Sequence, residues 1–404
     1  MTGATRKRDL RTGRSLWADS NGLGVPTRPL TQAISVDVTI VGAGISGAFM
    51  AYELSKDHSV AVLDRRPPLT GSTLASTALL QWEIDLPLTA LSERIGLAKA
   101  RRAYLRSYRA VEDLRRIVAE ERIVCGLRPK SSLYLAGDAY GSRALEAETH
   151  ARAEIGLDSR YLDKAELRDC FGLDRTGAIL SAGSAAGDPA RLAAGLLRRA
   201  HARGARIWSP VEVTQAVSDP DGVTLLTDTD HAVRAKHVVF CCGYEFPKGV
   251  PTPGASVVST WAMASKPGRR RPTWLADTLV WEASDPYLYL RMDREGRIIA
   301  GGEDEADAAA HEDPKKLERK SAALTVKLKR LLPDVDFAID YVWAGAFGSS
   351  ATGLPKIGRV DGMEHTWAVM GFGGNGITYS AIAAQIVSTE VRGKEDPDAD
   401  LYNG

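Results

Sequence analysis

Cysteine is scarce in this sequence, and its spacing excludes the sites that cysteines usually form. The four cysteines among 404 residues are Cys125, Cys170, Cys241 and Cys242, and no pair has the CxxC spacing of a zinc or redox site. No histidine accompanies them at metal-ligand spacing, so the sequence predicts no metal centre. Reduced thiols in a cytoplasmic protein are the expectation.

Long apolar runs and an excess of charge of one sign are also missing. No apolar stretch reaches the ~18 residues that a membrane-spanning helix needs. The basic start of the chain has no apolar segment after it and is not expected to be a secretory signal; residues 1–35 are predicted to form an irregular extension. The net charge is +1, which gives no electrostatic reason to expect nucleic acid or a membrane as partner.

The stretch from Val36 to Asp64 has the order of parts found in a dinucleotide-binding unit. A β-rich run leads into Gly42, Gly44 and Gly47, and a helical run and a second apolar strand follow. The first glycine allows a tight turn, the second lets backbone approach a pyrophosphate, and the third lets the helix pack on the sheet. Asp64 lies where an acid accepts ribose hydroxyls, which disfavours NADP and leaves FAD and NAD open.

The middle of the chain is predicted to be mainly helical. Apolar residues at three- and four-residue steps predict a helix over residues 91–122, whereas residues 177–187 are small and are predicted to be irregular. Asp188 and Pro189 suit the N-cap and first position of another helix. Two or three domains are expected from the length of the chain.

The later part of the chain changes its pattern twice. The apolar run at 235–242 predicts a buried strand in the same sheet as the dinucleotide unit. Short alternating runs between residues 255 and 345 predict an antiparallel sheet. A glycine-rich turn at 371–377 then joins a strand to a helix of small residues, which forms a second strand–turn–helix unit.

The order of these motifs resembles that of a known family. A GST turn follows the dinucleotide unit, the late strand ends in CCGYE, the insert carries YLYLRMDREGRIIAGGED, and GLPKIG precedes GFGGNGIT. From about residue 35 to residue 393 the chain resembles the D-amino-acid-oxidase-like family of FAD oxidoreductases, which includes glycine oxidase, sarcosine oxidase and D-amino-acid dehydrogenase.

The resemblance implies an α/β fold with two domains. A Rossmann-like FAD-binding domain would be assembled from the discontinuous segments 1–90, 181–254 and 345–404. An α+β substrate-binding domain with an antiparallel sheet would comprise residues 91–180 and 255–344.

The resemblance also implies that the cofactor is FAD and that it is bound without a covalent link. Relatives with covalent flavin have a His in the GST turn or a Cys near the WAG segment, and here those places hold Ala75 and small or apolar residues. The residues implied to contact FAD are Gly42, Gly44, Ile45, Ser46, Gly47, Asp64, Arg65, Ser72, Thr73, Ser76, Thr77, Val213, Gly243, Gly373, Gly374, Asn375, Gly376 and Ile377.

Four further residues are candidates for contact with the substrate. Arg291 matches the arginine with which the family holds a substrate carboxylate, and a guanidinium suits this task because it binds carboxylates bidentately. Some relatives have a second arginine where this chain has Phe347, so a weaker grip, or help from Lys356, is expected. Gln81 and Glu83 are interpreted either as contacts to the substrate amine or as residues on a helix surface.

The reaction that the resemblance implies is oxidation of an amino acid or an N-alkyl amine carboxylate. Hydride passes from Cα to flavin N5, helped by the amine lone pair, and the imine product hydrolyses. Sarcosine oxidases have an oxygen-activating lysine on the insert strand, where this chain reads Arg297 to Ala300, so oxygen and another electron acceptor both stay open. Two alternatives are an FAD-dependent hydroxy-acid dehydrogenase and the flavoprotein subunit of an electron-transfer complex.

Overall fold

The computed structural model describes residues 11–245, 255–268, 270–350 and 352–403. The strands are β1 (Arg11–Arg14), β2 (Ile34–Val41), β3 (Val60–Leu63), β4 (Leu79–Leu80), β5 (Arg128–Leu135), β6 (Ser159–Asp163), β7 (Gly177–Ala186), β8 (Arg206–Trp208), β9 (Val213–Asp219), β10 (Gly222–Thr227), β11 (Val233–Phe240), β12 (Ala255–Ser265), β13 (Thr278–Glu282), β14 (Leu288–Met292), β15 (Ile298–Glu305), β16 (Ile339–Ser350), β17 (Lys356–Arg359) and β18 (Thr366–Met370). The helices are α1 (Ile45–Leu54), α2 (Leu88–Ile95), α3 (Leu97–Glu120), α4 (Ser142–Glu154), α5 (Lys164–Phe171), α6 (Pro189–Ala202), α7 (Pro314–Leu331) and α8 (Gly376–Val391).

The smaller of the two sheets contains the dinucleotide unit. Its strand order is β17–β18–β11–β2–β3–β8, and the hairpin of β9 and β10 extends from β11. The central pairs from β18 to β8 are parallel, as expected for apolar strands that are covered on both faces. Val38 and Ile40 of β2 are fully buried in one apolar cluster with α1, whereas Val41 joins the cluster on the opposite face. The alternation along β2 therefore fixes α1 on one side of the sheet.

The larger sheet is mostly antiparallel. Its strand order is β1–β16–β12–β15–β14–β13–β5–β7–β4, and β6 pairs with β7. The pair of β13 and β5 is parallel. Leu324 and Leu328 of α7 are buried with Trp261 and Met263 of β12, and each fully buried side chain of this size contributes about 1.5–3 kcal/mol. The antiparallel sheet predicted for residues 255–345 is thus present and extends to strands from earlier in the chain.

The two segments that were predicted to be irregular both contain strands. Residues 177–186 form β7 near one end of the larger sheet, between β5 and β4, and its small residues reflect close packing: a Cβ at Gly177 would lie 2.4 Å from the Tyr161 hydroxyl. In the N-terminal extension, β1 pairs with β16, and Trp17 is buried in a 3-10 helix that Ser15 caps. Residues 1–10 of the predicted basic extension lie outside the described residues.

Other predictions agree more closely with the structure. The single helix predicted over 91–122 is present as α2 and α3, which are separated at Gly96, where φ is +86°. The predicted late strand is β11, and its parallel pairing with β2 confirms that it belongs to the sheet of the dinucleotide unit. The predicted domain boundaries stay a prediction; β4, β7 and β16 either cross them or join the other sheet.

The described residues show no sign of a metal site or a membrane span. They contain no group of three His, Cys, Asp or Glu side chains arranged to hold a metal. None of their helices combines the length and the apolar character needed to cross a bilayer. The four cysteines are free, and burial raises the pKa of Cys125 to about 11 and that of Cys241 to about 12, which makes these thiols poor nucleophiles.

Candidate active site

The turn after β2 brings the glycines of the dinucleotide unit against neighbouring backbone. Gly42 has a φ of +112°, and a Cβ there would lie 2.3 Å from the Cys241 carbonyl oxygen. A Cβ at Gly47 would lie 1.9 Å from the Gly42 oxygen, so α1 can approach this turn only because residue 47 has no side chain. A Cβ at Gly44 would meet only Thr73 Oγ1, at 3.1 Å. Gly44 therefore leaves open the space beside the helix N-terminus.

A groove runs beside this turn, and we call it the nucleotide groove. It has about 740 Å³ of empty space, part of it open to solvent. Asp64 lies on its wall, where Oδ2 accepts a hydrogen bond from Ala43 N at 2.6 Å and Oδ1 from Arg66 N at 2.9 Å. Burial raises the pKa of Asp64, and these two hydrogen bonds oppose the rise. The predicted cofactor residues on the wall are Gly42, Gly44, Ile45, Ser46, Asp64, Arg65, Ser72, Thr73, Val213 and Gly243.

The two arginines after Asp64 share one carboxylate. Arg65 and Arg66 both form ion pairs with Glu245, and Arg66 Nη2 donates to Glu245 Oε1 at 2.8 Å. Arg65 Nη1 is buried and has no hydrogen-bond partner in the described part of the chain. The groove therefore presents a charged donor to any phosphate or hydroxyl placed there.

The GST turn separates the nucleotide groove from a larger cavity. It forms a 3-10 helix over Ser72–Ala75, and Thr73 Oγ1 accepts a hydrogen bond from Ile45 N at 2.9 Å. Trp17 Nε1 supports the turn from outside by donating to Ser76 O at 2.5 Å. Ser72 and Thr73 line both spaces, whereas Ser76 and Thr77 line only the larger one.

We call the larger space the central cavity. It has about 1230 Å³ of empty space, part of it open to solvent. Its wall includes the glycine-rich turn before α8, with the predicted residues Gly373, Gly374, Asn375, Gly376 and Ile377. The residues that line both the cavity and the nucleotide groove are Ile45, Ser46, Ser72, Thr73 and Gly243. The two spaces therefore adjoin along the GST turn.

Three polar side chains at alternate positions face the central cavity. They are Gln81, Glu83 and Asp85, and the segment that carries them is not helical, so the interpretation of Gln81 and Glu83 as helix-surface residues is wrong. This segment is bound to the glycine-rich turn by three hydrogen bonds: Thr378 Oγ1 to Gln81 O at 2.9 Å, Asn375 Nδ2 to Glu83 O at 2.5 Å, and Gly374 N to Asp85 Oδ2 at 2.8 Å. Asp85 was not predicted, although it continues the same alternation.

Glu83 is held at the inner end of the cavity by a buried cation. Its side chain is 0% exposed, and Oε1 lies 3.8 Å from Nη1 of Arg152, which is also fully buried. Arg152 Nε donates to Glu148 Oε1 at 2.7 Å, and Ser184 Oγ donates to Glu83 Oε2 at 3.3 Å. Burial raises the pKa of Glu83, and Arg152 opposes the rise. Within the described residues, Glu83 Oε1 has no hydrogen-bond partner.

Arg291 does not occupy the position that the resemblance implies. Its Nε donates to Thr77 O at 2.7 Å and its Nη2 donates to Gly187 O at 2.9 Å, while the guanidinium lies 5.4 Å from the Trp17 ring centre. It is not among the described residues that line the central cavity. The expectation that Arg291 faces a substrate carboxylate is therefore wrong for this geometry, because the guanidinium is directed beneath the GST turn.

The second cation proposed for the carboxylate is also displaced. Lys356 begins β17, the edge strand of the smaller sheet, and lines a shallow depression with Gly358 and Arg359. It is absent from the described lining of the central cavity. Strand β17 pairs with β18 at the outside of the sheet, so its side chains are carried away from the cavity.

Aromatic side chains form much of the cavity wall, and sequence reasoning did not single them out. Tyr289 and Arg291 lie on β14, and Tyr287 directly precedes this strand. Because side chains alternate along a strand, these three residues at two-residue steps share one face. Trp281 on β13 lines the same cavity, as does Phe347, which stands in place of the arginine of some relatives. None of the described lining residues is Lys, Arg or His.

Comparisons with known proteins agree with this geometry. The chain is 24% identical to gamma-glutamylputrescine oxidoreductase of Escherichia coli over 94% of this chain and 89% of that protein. It is 26% identical to glycine oxidase of Geobacillus kaustophilus over 89% of this chain and 93% of that protein.

Solved structures show the same fold. The crystal structure of glycine oxidase from Geobacillus kaustophilus matches with a TM-score of 0.73 at 22% identity, covering 90% of this chain and 96% of that chain. L-proline dehydrogenase from P. horikoshii matches with a TM-score of 0.76 at 17% identity, covering 92% and 97%. The model of the FAD dependent oxidoreductase family DAO matches residues 37–389. The chain therefore belongs to the DAO family of FAD-dependent oxidoreductases.

Proposed function

We propose that this enzyme oxidises an amine or an amino acid by transfer of a hydride from the carbon next to the nitrogen. The observation that carries the proposal is that the nucleotide groove adjoins a central cavity lined by the polar side chains of Gln81, Glu83 and Asp85. FAD is the cofactor of the family, and a dinucleotide that reaches from one space into the other fits this arrangement.

The residues present fit FAD at the nucleotide end. The open space at Gly44, which a Cβ would begin to fill, suits the approach of backbone to a pyrophosphate at the N-terminus of α1. Asp64 and the unpaired Arg65 donor suit ribose hydroxyls and phosphate, with Val213 at the adenine end. We propose that the GST turn and the turn at 373–377 hold the flavin end, because both line the central cavity.

Bound flavin supplies a two-electron acceptor, N5, for the hydride that leaves the substrate carbon. The chain orients the substrate: Gln81, Glu83 and Asp85 offer oxygen acceptors to its nitrogen. The nitrogen must be neutral for its lone pair to assist, and a carboxylate whose pKa is raised, as at Asp85 by burial, suits acceptance of the ammonium proton at Oδ1 or Oδ2. Hydrolysis of the resulting imine needs only water.

We also propose that FAD is attached without a covalent bond, because Ala75 stands where some relatives have the linking His. The residues that line the cavity support this proposal. The described residues that line the central cavity include neither His nor Cys, the side chains that carry covalent flavin in relatives. Acid precipitation of the purified protein is expected to leave the yellow colour in the supernatant. A yellow pellet would contradict this expectation.

The proposed function is tested by anaerobic bleaching of the flavin. D-, L- and N-methyl amino acids, simple amines and 2-hydroxy acids are each added to the yellow protein, and air or an artificial dye is then admitted. Bleaching by an amine or amino acid supports the proposal, and recovery in air or only with dye identifies the acceptor class. Bleaching by hydroxy acids alone would replace it with the hydroxy-acid dehydrogenase. Bleaching by none, with a co-purifying partner, would favour the electron-transfer subunit.

A further inference from the structure

The charged side chains that line the central cavity are all acids in the part of the chain that the structure describes. Glu83 and Asp85 line it, and no described Lys, Arg or His does. Arg291 is hydrogen bonded beneath the GST turn, and Lys356 lies at a sheet edge. Glu83 has Arg152 as a buried counter-ion, so the charge that a substrate carboxylate would meet is that of Asp85, which forms no ion pair among the described residues. Two like charges are unfavourable at the short distances inside a cavity.

Glu83 and Asp85 differ in how far their side chains are exposed to the cavity. Glu83 is fully buried, and its Oε1 lacks a hydrogen bond within the described residues although Arg152 lies 3.8 Å away. Asp85 is exposed despite its place in the wall, because its carboxylate faces the interior of the cavity. Only Oδ2 of Asp85 is bound, by Gly374 N at 2.8 Å, among the hydrogen bonds of the described chain. Asp85 Oδ1 is thus left open to a ligand, whereas Glu83 Oε1 is enclosed by the protein.

Aromatic rings complete this wall. Tyr287 and Tyr289 lie with ring centres 5.7 Å apart, and Trp281 stacks on Tyr134 at 3.7 Å, which fixes its ring. The electron-rich faces of such rings attract ammonium groups, with about 0.5–2 kcal/mol for each favourable contact. A carboxylate gains nothing comparable from a ring face.

We propose that the central cavity selects its substrate by an ammonium group, held by Asp85 and by the rings of Trp281, Tyr287 and Tyr289, with Glu83 buried in the same wall. The substrate class is a cationic amine that carries no carboxylate on the reacting carbon. Diamines fit best, since one nitrogen reacts as the neutral amine while the second stays protonated. This inference rests on the proposed function and narrows it.

The reaction balances for such a substrate. The carbon–hydrogen bond next to the neutral nitrogen would break, and bound FAD would accept its two electrons as a hydride. The nitrogen lone pair forms the carbon–nitrogen double bond, and water then releases an aldehyde and ammonia. Oxygen, which would become hydrogen peroxide, or an added dye would finally take up the two electrons.

Matched pairs of substrates test the selection. Anaerobic flavin bleaching is measured with the holoenzyme for lysine against 1,5-diaminopentane, phenylalanine against phenylethylamine, and alanine against ethylamine, with both enantiomers of each acid. The amine of each pair is expected to bleach at a concentration at least about tenfold lower. If the acids bleach at equal or lower concentrations, this inference fails while the proposed function stands. If no compound bleaches, the proposed function fails with it.

A binding measurement separates recognition from turnover. Tetramethylammonium cannot be oxidised with help from a lone pair, and pivalate has the same shape with the opposite charge. Both are titrated into the holoenzyme, with perturbation of the flavin spectrum and tryptophan fluorescence as readouts. The cation is expected to bind more tightly than pivalate, and tighter binding of pivalate would overturn the inference.

Two variants and a control assign the effect to the named acids. Asp85→Asn and Glu83→Gln are expected to weaken tetramethylammonium binding about tenfold and to strengthen pivalate binding. Glu282→Gln is the control, because Glu282 is buried next to Trp281 but accepts from Arg175 Nη2 at 2.7 Å and does not line the cavity. Thermal unfolding and flavin content show whether each variant is folded. Unchanged affinities in the folded acid variants would contradict the inference.

Discussion

Arg291 and Thr77 are joined across 214 positions of the chain by a hydrogen bond of 2.7 Å, from Nε of the arginine to the carbonyl oxygen of the threonine. A second bond from the same guanidinium reaches Gly187 O at 2.9 Å, just before α6. Both carbonyl groups belong to segments that contribute to the wall of the central cavity. The arginine therefore joins the larger sheet to the GST turn, and its effect on a substrate is indirect.

Replacement of Arg291 is expected to affect stability and flavin retention before it affects substrate affinity. Arg291→Met leaves two buried carbonyl oxygens without a donor, at about 1–3 kcal/mol each. The free energy of unfolding and the FAD content are measured, with Arg294→Met, an exposed neighbour, as the control. A stable, fully yellow Arg291→Met enzyme with a raised KM for carboxylate substrates alone would contradict the structural role.

Gly44 and Gly47 are expected to respond differently to alanine. A Cβ at Gly44 meets only the Thr73 hydroxyl, at 3.1 Å, so Gly44→Ala should fold but bind FAD at least about tenfold more weakly because the methyl group lies where backbone must approach phosphate. A Cβ at Gly47 would lie 1.9 Å from backbone oxygen, so Gly47→Ala should lower the free energy of unfolding by about 1–3 kcal/mol or more.

Titration of each apoprotein with FAD, together with thermal unfolding, distinguishes the two alanine variants. The comparison is informative because both positions belong to one motif and differ by a single methyl group from the native chain. Equal loss of stability in both variants, with unchanged FAD affinity in Gly44→Ala, would contradict the separate roles.

Arg152 is expected to be among the residues most sensitive to substitution. It lies fully buried between Glu83 and Glu148, so Arg152→Leu leaves two buried carboxylates without their cation and should destabilise the protein by about 3–5 kcal/mol. Arg160→Leu, which removes an exposed arginine paired with Glu166, should change stability by less than about 1 kcal/mol. Chemical denaturation of both variants measures the difference, and equal effects would refute the importance of burial.

Asp304 is expected to make stability depend on pH. Burial raises its pKa to about 6, and the neighbouring Thr260 and Tyr287 hydroxyls oppose the rise only in part. Because the pKa is raised in the folded protein, the protonated form of Asp304 is favoured there. The contribution of Asp304 to the free energy of unfolding is therefore fully present below about pH 4, the unfolded pKa, and is lost as the pH rises through about 6.

The Asp304→Asn variant should lack this dependence. It is expected to gain stability relative to the native protein as the pH rises from about 4 to 7, by at most about 3 kcal/mol, since one pKa unit corresponds to about 1.4 kcal/mol. Unfolding midpoints between these pH values provide the measurement, with the exposed Asp307→Asn as control. A constant difference across the range would contradict the assignment.

The sequence was sufficient to predict the fold, and most residues predicted for the nucleotide end lie together along one groove. Gly42, Gly47 and Asp64 are needed by the backbone of a tight turn, and such requirements leave a fixed spacing in the sequence. The distant turn at 373–377 could be added because it repeats a strand–turn–helix pattern.

The substrate half was predicted less well because it depends on directions that a sequence does not encode locally. Strand periodicity places Tyr287, Tyr289 and Arg291 on one face, but it does not reveal where along that face the cavity ends. Asp85 continues the alternation of Gln81 and Glu83. Its carboxylate, however, is held by a hydrogen bond from Gly374, which lies 289 positions away in the sequence.

The hydrogen bond from Gly374 to Asp85 also has a consequence for biosynthesis. The flavin end of the proposed site needs residues 373–377, which a ribosome adds after the described strands of both sheets. A nascent chain that has not yet emerged past this turn presents the nucleotide groove without the opposite wall of the central cavity. We therefore expect flavin incorporation to require synthesis of the chain through residue 377, and products truncated before this turn to remain colourless.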